Sequence, residues 1–265
     1  MQERPGPNEA LEAFEALAGI LESEPQVQVD TLSADPLDET RFREGLPLFS
    51  REALPLHLYR AGATLLRILD HLAEAGRPDR PGLERAAGRL RDDPAWRDAL
   101  FRAVAAGDGD ALARPARETG LDPAALRFLV KTALRPHMEG LRRAAAERLP
   151  GGAWSHGYCP LCGSGPDMAC LDEAGKRLLH CDLCGTEWFY RRIGCPFCGN
   201  EDQERLGYLT ADGEEGVRVD LCEACRRYLK TVDRRILEAP APLDLEHLAT
   251  LHLDLAAAGR GYRPP

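Results

Sequence analysis

Eight cysteines in this chain fall into four Cys-x-x-Cys pairs: Cys159/Cys162, Cys181/Cys184, Cys195/Cys198 and Cys222/Cys225. The two intervening residues make a turn tight enough to aim both sulfurs at one ion, with backbone N–H groups donating to the sulfurs. A glycine suits the backbone at the position after the second cysteine, and Gly163, Gly185 and Gly199 stand there. Arg226 stands there in the fourth pair, so a different turn is expected. Two pairs supply the four ligands of a tetrahedral all-thiolate site, which predicts two metal ions per chain.

Spacing suggests which pairs share an ion. Eighteen residues separate Cys162 from Cys181 and twenty-three separate Cys198 from Cys222, and both gaps fit a two-stranded hairpin. Only ten residues separate Cys184 from Cys195, partly used by a strand. The order knuckle, hairpin, knuckle, strand therefore occurs twice, favouring first with second and third with fourth. Crossed pairing would require the two hairpins to interleave. Each module is near the ~40-residue limit below which unaided folding is rare. A structural zinc site contributes roughly 10–16 kcal/mol in small peptides, more than so small a core supplies. Cys-Pro-Leu-Cys-Gly (159–163) and Cys-Pro-Phe-Cys-Gly (195–199) look like rubredoxin knuckles, which favours iron, although zinc ribbons use the same form.

Other chemistry-bearing residues read more plainly. Cys170 lies on an expected strand and suits a small buried position better than a redox thiol. His156 and His180 sit near knuckles already supplied with four thiolates, so they are expected beside the sites rather than as ligands. His57, His71 and His137 lie in helical stretches without partners at ligand spacing. Trp188, Phe189 and Tyr190 are expected to pack on their own module. No Gly-rich phosphate loop, nucleophile elbow or His-Glu-x-x-His is present, and four-thiolate sites are closed to substrate, so no enzyme is expected.

The elements that position these residues divide at Pro150-Gly151-Gly152. Residues 1–150 read as all-helical. Asn8 caps a helix towards Leu21, and a loop follows around Asp35-Pro36 and Gly45-Leu46-Pro47. Leu58, Leu65, Leu69 and Leu72 share one helical face. Shorter helices cover Arg80–Arg91 and Pro94–Ala106. Asp122-Pro123 opens another helix, carried on by Leu126, Leu129, Val130, Ala133 and Leu134, and a last helix runs from Pro136 to Leu149. Residues 155–192 and 193–265 form two tandem rubredoxin-like or zinc-ribbon-like modules. Their strands are expected at Met168–Leu171, Arg177–Cys181, Glu187–Tyr190, Leu206–Thr210, Val217–Leu221 and Tyr228–Val232. A C-terminal helix spans Leu243–Ala258 and ends at Gly259. The fold class is α+β with several domains.

Composition narrows the function. The chain has 265 residues, is 44% hydrophobic and carries a net charge of −9. Residues 151–265 hold thirteen Lys and Arg against eighteen Asp and Glu, so Arg226-Arg227, Lys230 and Arg234-Arg235 read as a balanced, solvated face rather than a nucleic-acid surface. No stretch approaches the ~20 apolar residues of a membrane span. The polar start lacks a signal-peptide pattern, so a cytoplasmic location is expected, where cysteines serve metals more often than disulfides.

Cys-Asp-Leu-Cys-Gly-Thr-Glu-Trp (181–188), Cys-Glu-Ala-Cys-Arg-Arg-Tyr-Leu-Lys (222–230), Leu-Ala-Thr-Leu-His-Leu-Asp (248–254) and Gly-Tyr-Arg-Pro (261–264) together resemble FdhE, the formate dehydrogenase accessory protein family. The likeness is specific over residues 155–265. It implies a cytoplasmic maturation factor for respiratory formate dehydrogenases, which carry molybdenum and are exported folded. It also implies association with the enzyme's catalytic subunit, and iron at rubredoxin-like sites. Arg227-Tyr228-Leu229-Lys230 is a candidate contact for that partner, since Tyr and Arg are favoured in interfaces; the alternative is that Tyr228 and Leu229 close the second module's hairpin.

Overall fold

The computed structural model describes residues 39–74, 79–146, 154–237 and 241–265, with 17, 19–21, 23 and 149. The helix expected after Asn8, the loop at Asp35-Pro36 and the boundary at Pro150-Gly151-Gly152 lie wholly or largely outside these residues. The described chain forms two compact units, one holding residues 49–145 and the other residues 39–48 and 154–265.

Residues 49–145 are helical, with no strand among those described. After the short α1 (Glu39–Arg43) of the other unit come α2 (Leu58–Glu74), α3 (Arg80–Asp92), α4 (Pro94–Ala106), α5 (Gly109–Thr119) and α6 (Pro123–Ala145). Leu58, Leu65, Leu69 and Leu72 of α2 are buried, as their spacing predicts, against a core that includes Leu83, Leu100, Phe101 and Met138. Asp93, Asp108 and Asp122 cap α4, α5 and α6 by accepting from Trp96 N, Ala111 N and Ala124 N. Gly107 and Gly120 end α4 and α5 in the left-handed region.

Two expectations need correction. Helix α5 has no counterpart in the sequence reading, and it holds Pro115 in its interior. Pro136 does not begin a new helix but lies inside α6. Its missing N–H and ring cost roughly 3 kcal/mol. The buried stripe runs through it, from Leu129, Val130, Ala133 and Leu134 to His137, Met138 and Leu141, and offsets that cost.

The cysteine-bearing unit is built on one six-stranded sheet: β1 (Pro166–Leu171), β2 (Arg177–Cys181), β3 (Glu187–Phe189), β4 (Leu206–Leu209), β5 (Val217–Cys222) and β6 (Arg227–Asp233). The order is β3-β2-β1-β6-β5-β4. Neighbours within each module are antiparallel, whereas β1 and β6 pair in parallel, Met168 opposite Lys230 and Cys170 opposite Val232. The modules are thus two copies of one three-stranded unit laid side by side, the first strand of one on the last strand of the other.

Helices α7 (Leu243–Ala249) and α8 (Leu251–Gly259) join the sheet in a shared core. Leu243, Leu253 and Ala257 pack with Met168 and Cys170 of the first module and Val219, Tyr228 and Val232 of the second. The single helix expected over Leu243–Ala258 is broken at Thr250, whose hydroxyl donates to Glu246 O (2.6 Å). Gly259 stays inside α8, and Gly261 (φ 78°) takes the left-handed turn. No described helix is long and apolar enough to cross a membrane.

In the helical unit His137 is buried against His57, ring centroids 5.8 Å apart. Burial, with His57 and Arg60 adding, lowers its pKa to about 4. An unfolded chain takes up that proton near pH 6.5. Stability is therefore complete above pH 6.5 and falls as the pH drops towards 4, by roughly 3 kcal/mol. A fragment ending at Ala145 should keep its helical circular dichroism in chelator, and denaturant titrations should show this acid slope, flattened in His137→Leu.

Candidate metal centres

Two of the four knuckles start at a strand end. Cys181 closes β2 and Cys222 closes β5, so the second and fourth knuckles are the β2–β3 and β5–β6 turns. The first and third precede β1 and β4. All four turns close alike, with the residue after the second cysteine donating to the carbonyl of the first: Gly163 to Cys159 (2.9 Å), Gly185 to Cys181 (3.1 Å), Gly199 to Cys195 (2.9 Å) and Arg226 to Cys222 (2.9 Å).

The fourth turn therefore does not differ, contrary to expectation. Arg226 takes the left-handed conformation (φ 56°), the one described non-glycine residue to do so. That conformation costs about 1–2 kcal/mol in a residue with a Cβ. The side chain offsets it. Its guanidinium lies 4.0 Å from the Tyr262 ring centroid, pairs with Glu223 (2.5 Å) and donates to Arg260 O (2.7 Å). Its carbonyl accepts from Arg263 N (2.7 Å), and Tyr262 also bonds Glu223. The residue that breaks the glycine pattern fastens the C-terminal tail to the knuckle.

The eight sulfurs gather as Cys159, Cys162, Cys181, Cys184 and as Cys195, Cys198, Cys222, Cys225, each group within 4.8 Å. Close pairs are 3.5 Å (Cys159–Cys184, Cys162–Cys181) in the first and 3.6–3.7 Å (Cys195–Cys225, Cys198–Cys222) in the second. A tetrahedral ion with 2.3 Å metal–sulfur bonds separates its ligands by roughly 3.8 Å, so both groups fit such an ion. Burial, then hydrogen bonds from the neighbouring thiols, pushes the Cys159 thiol well above its ordinary pKa. Burial does the same to Cys195. Without a cation, four thiolates this close repel one another in a medium of low dielectric.

The groups differ in exposure. All four cysteines of the first are buried, whereas in the second Cys198 is exposed and Cys225 half-buried. Leu183 N and Cys184 N approach Cys181 Sγ (3.4 and 3.5 Å), and Cys184 Sγ lies 3.1 Å from Thr186 Oγ1. Around the first knuckle Trp154 donates to Tyr158 O (2.7 Å), Tyr158 to Gly45 O (2.7 Å) and Leu48 N to Pro160 O (2.8 Å). Residues 45–48 thus belong beside this knuckle. A Cβ on Gly157 would lie 1.8 Å from Pro196 O, so only glycine lets the lead-in to the first knuckle pass so close to the third.

Cys170 is outside both groups, buried, its pKa pushed up to about 12 by burial first and then by Glu187. His156 stacks on Tyr158 (5.1 Å). His180 is buried with Nδ1 2.8 Å from Asp167, beside the first group but not in it. Trp188 in β3 and Tyr190 just after it are buried, donating to His156 O (3.0 Å) and Cys195 O (3.2 Å); Phe189 is exposed by the alternation of β3.

The candidate partner contact at 227–230 is largely internal. Tyr228, Leu229 and Lys230 are buried. Lys230 Nζ donates to His247 O (2.8 Å) and Asp254 (2.6 Å), and Tyr228 OH to Asp254 (2.8 Å). These residues hold α7 and α8 to the sheet. Sequence reading also missed Arg177, a buried β2 cation that spans the module boundary to Asp220 on β5 (3.2 Å) and Gly194 O (2.9 Å). Arg234 and Arg235 pair with Glu187 (2.8 Å) and Asp233 (2.6 Å), in keeping with a balanced face.

Residues 158–192 match the model of the FdhE central domain. The chain is similar to an FdhE homolog of Stutzerimonas stutzeri, 31% identical over 93% of this chain and 78% of that one. The chain belongs to the FdhE family. Another FdhE homolog, from Pseudomonas aeruginosa, is 31% identical over 86% of this chain and 73% of its own. The match to an Aquifex aeolicus homolog (32% identical) covers 55% of this chain and about half, 52%, of that relative. The crystal structure of the Pseudomonas aeruginosa FdhE protein superposes with a TM-score of 0.64 at 27% identity, covering 97% of this chain and 86% of that one. An FdhE member with the fold of that crystal structure thus carries two four-cysteine clusters.

Arg226 separates backbone strain from side-chain clamping. Arg226→Ala keeps the first and loses the second, so it should unfold more easily in denaturant than Arg226→Gly, by about 1 kcal/mol.

Proposed function

We propose that this FdhE-family chain is an accessory protein, not an enzyme, that binds the catalytic subunit of a respiratory formate dehydrogenase in the cytoplasm and assists its assembly or activation. The observation that carries this reading is the pair of four-sulfur clusters within a match spanning 93% of the chain to a relative named for FdhE. Cys159, Cys162, Cys181 and Cys184 would hold one ion, and Cys195, Cys198, Cys222 and Cys225 another. Iron is favoured by the rubredoxin-like knuckles, and zinc fits the same donors. Bound, such an ion would neutralise the clustered thiolates and tie knuckle to knuckle; around it the chain's backbone N–H groups would orient the sulfurs, and at the first cluster buried neighbours would exclude water. Four sulfurs complete a tetrahedral ion and leave no open position for a substrate.

A second reading, electron transfer to the client through an iron site, is favoured by the exposure of Cys198. Nucleic-acid binding is disfavoured by the net charge of −9 and by the pairing of the basic residues that follow the fourth knuckle. Tyr228, Leu229 and Lys230 are buried, so recognition uses other surface.

Anaerobic purification from cells making the enzyme tests the proposal. Two ions per chain are expected by elemental analysis, with the catalytic subunit retained; Cys222→Ser/Cys225→Ser should hold one ion and lose the subunit. Equal capture by that variant would remove the second centre from docking, and no capture by the wild type would end the client assignment. Zinc alone would exclude electron transfer.

A further inference from the structure

The two clusters share spacing and turn geometry but not surroundings. The first is the better covered: its cysteines, with Pro160, Leu161, Ser164 and Thr186 between and beside them, are all buried, while Gly163, Asp182 and Gly185 are half-buried. In the second, Cys195 and Cys222 are buried, and Cys222 is fixed in β5. Cys225 is tied from behind by the C-terminal tail, Arg263 donating to its carbonyl (3.1 Å). Cys198 has neither restraint. It is exposed, as are Gly199 and residues 201–205 after it, and a Cβ on Gly199 would meet nothing within 4 Å. Its knuckle is closed by the bonds Gly199 N to Cys195 O and Cys195 N to Asn200 O (both 2.9 Å), and no strand contains it.

We infer that the two centres divide their tasks: the first holds its ion for as long as the chain is folded, and the second exchanges its ion with external thiols or chelators by opening at Cys198. Exchange at a four-coordinate ion needs an incoming donor to reach it before a ligand leaves, and the cover around a site sets that access. In the step, an external thiolate sulfur bonds to the divalent ion as the bond to Cys198 Sγ breaks. The freed Cys198 thiolate takes a proton from water, and no electron is transferred. Repeating it at Cys225, the half-buried ligand, leaves the ion held only by Cys195 and Cys222. The inference rests on the reading of both clusters as metal centres.

The test uses the full chain loaded with zinc at both sites and mixed with excess 4-(2-pyridylazo)resorcinol, whose colour reports released zinc. Two phases of equal amplitude are expected, one ion per chain each, separated at least ~10-fold in rate. In parallel, the loaded wild type is treated briefly with iodoacetamide and its cysteines mapped by mass spectrometry, which needs no variant to fold. Cys198 should be modified first, and Cys159, Cys162, Cys181 and Cys184 last. A single release phase for both ions, or first modification within the 159–184 group, overturns the inference while leaving two metal centres in place. A chain that binds no zinc, iron or other divalent ion at all overturns both the inference and the metal reading beneath it.

Discussion

Holding four sulfurs within 4.8 Å of one another, with close pairs at 3.5–3.7 Å, is the constraint on which the cysteine-bearing unit depends. Cys181 and Cys222 lie at strand ends, where the tight turn that follows holds the sulfurs of its knuckle in place. Each three-stranded module therefore brings a strand-end knuckle up to one that leads into its hairpin. Left-handed backbone after each second cysteine is part of the same demand, met without a Cβ in three turns and by Arg226 in the fourth.

Two such modules would each expose a sheet edge. Parallel pairing of β1 with β6 removes one edge from each and converts two small cores into one. The seam is then fastened on both faces. On one, α7 and α8 pack across both modules, with Lys230 held among helix carbonyls and Asp254. On the other, Arg177 spans from β2 to Asp220 on β5. Buried charges of this kind need well-placed partners, and removing one partner typically costs about 3–5 kcal/mol. Tyr228 and Lys230 thus have structural reasons for their identity, although on paper their types suggest a contact surface.

The same sheet leaves the two clusters unequal. The first knuckle is covered by Trp154, Tyr158 and residues 45–48. The third is followed by an exposed stretch, so Cys198 faces water. One repeated motif therefore yields two cysteine clusters with different access to solvent, a difference that arises from neighbours rather than from the cysteines themselves.

Local signals alone determined much of this. Cys-x-x-Cys spacing marks the knuckles, short β-type runs between turn signals mark all six strands to within two residues at either end, and periodic apolar residues, with the Asp122 cap, mark most helices, because each property is decided within a few residues of chain. What required tertiary structure is whatever depends on residues far apart in sequence. Pro136 stays in a helix because burial on both sides outweighs one lost hydrogen bond. The modules fuse because Met168 meets Lys230, sixty-two positions away. Gly157 is required because Pro196 passes over it. Tyr228 turns inward because Asp254, on α8 beyond the helix break at Thr250, accepts from its hydroxyl. Packing decides these outcomes, and composition and spacing do not encode which distant surfaces will meet.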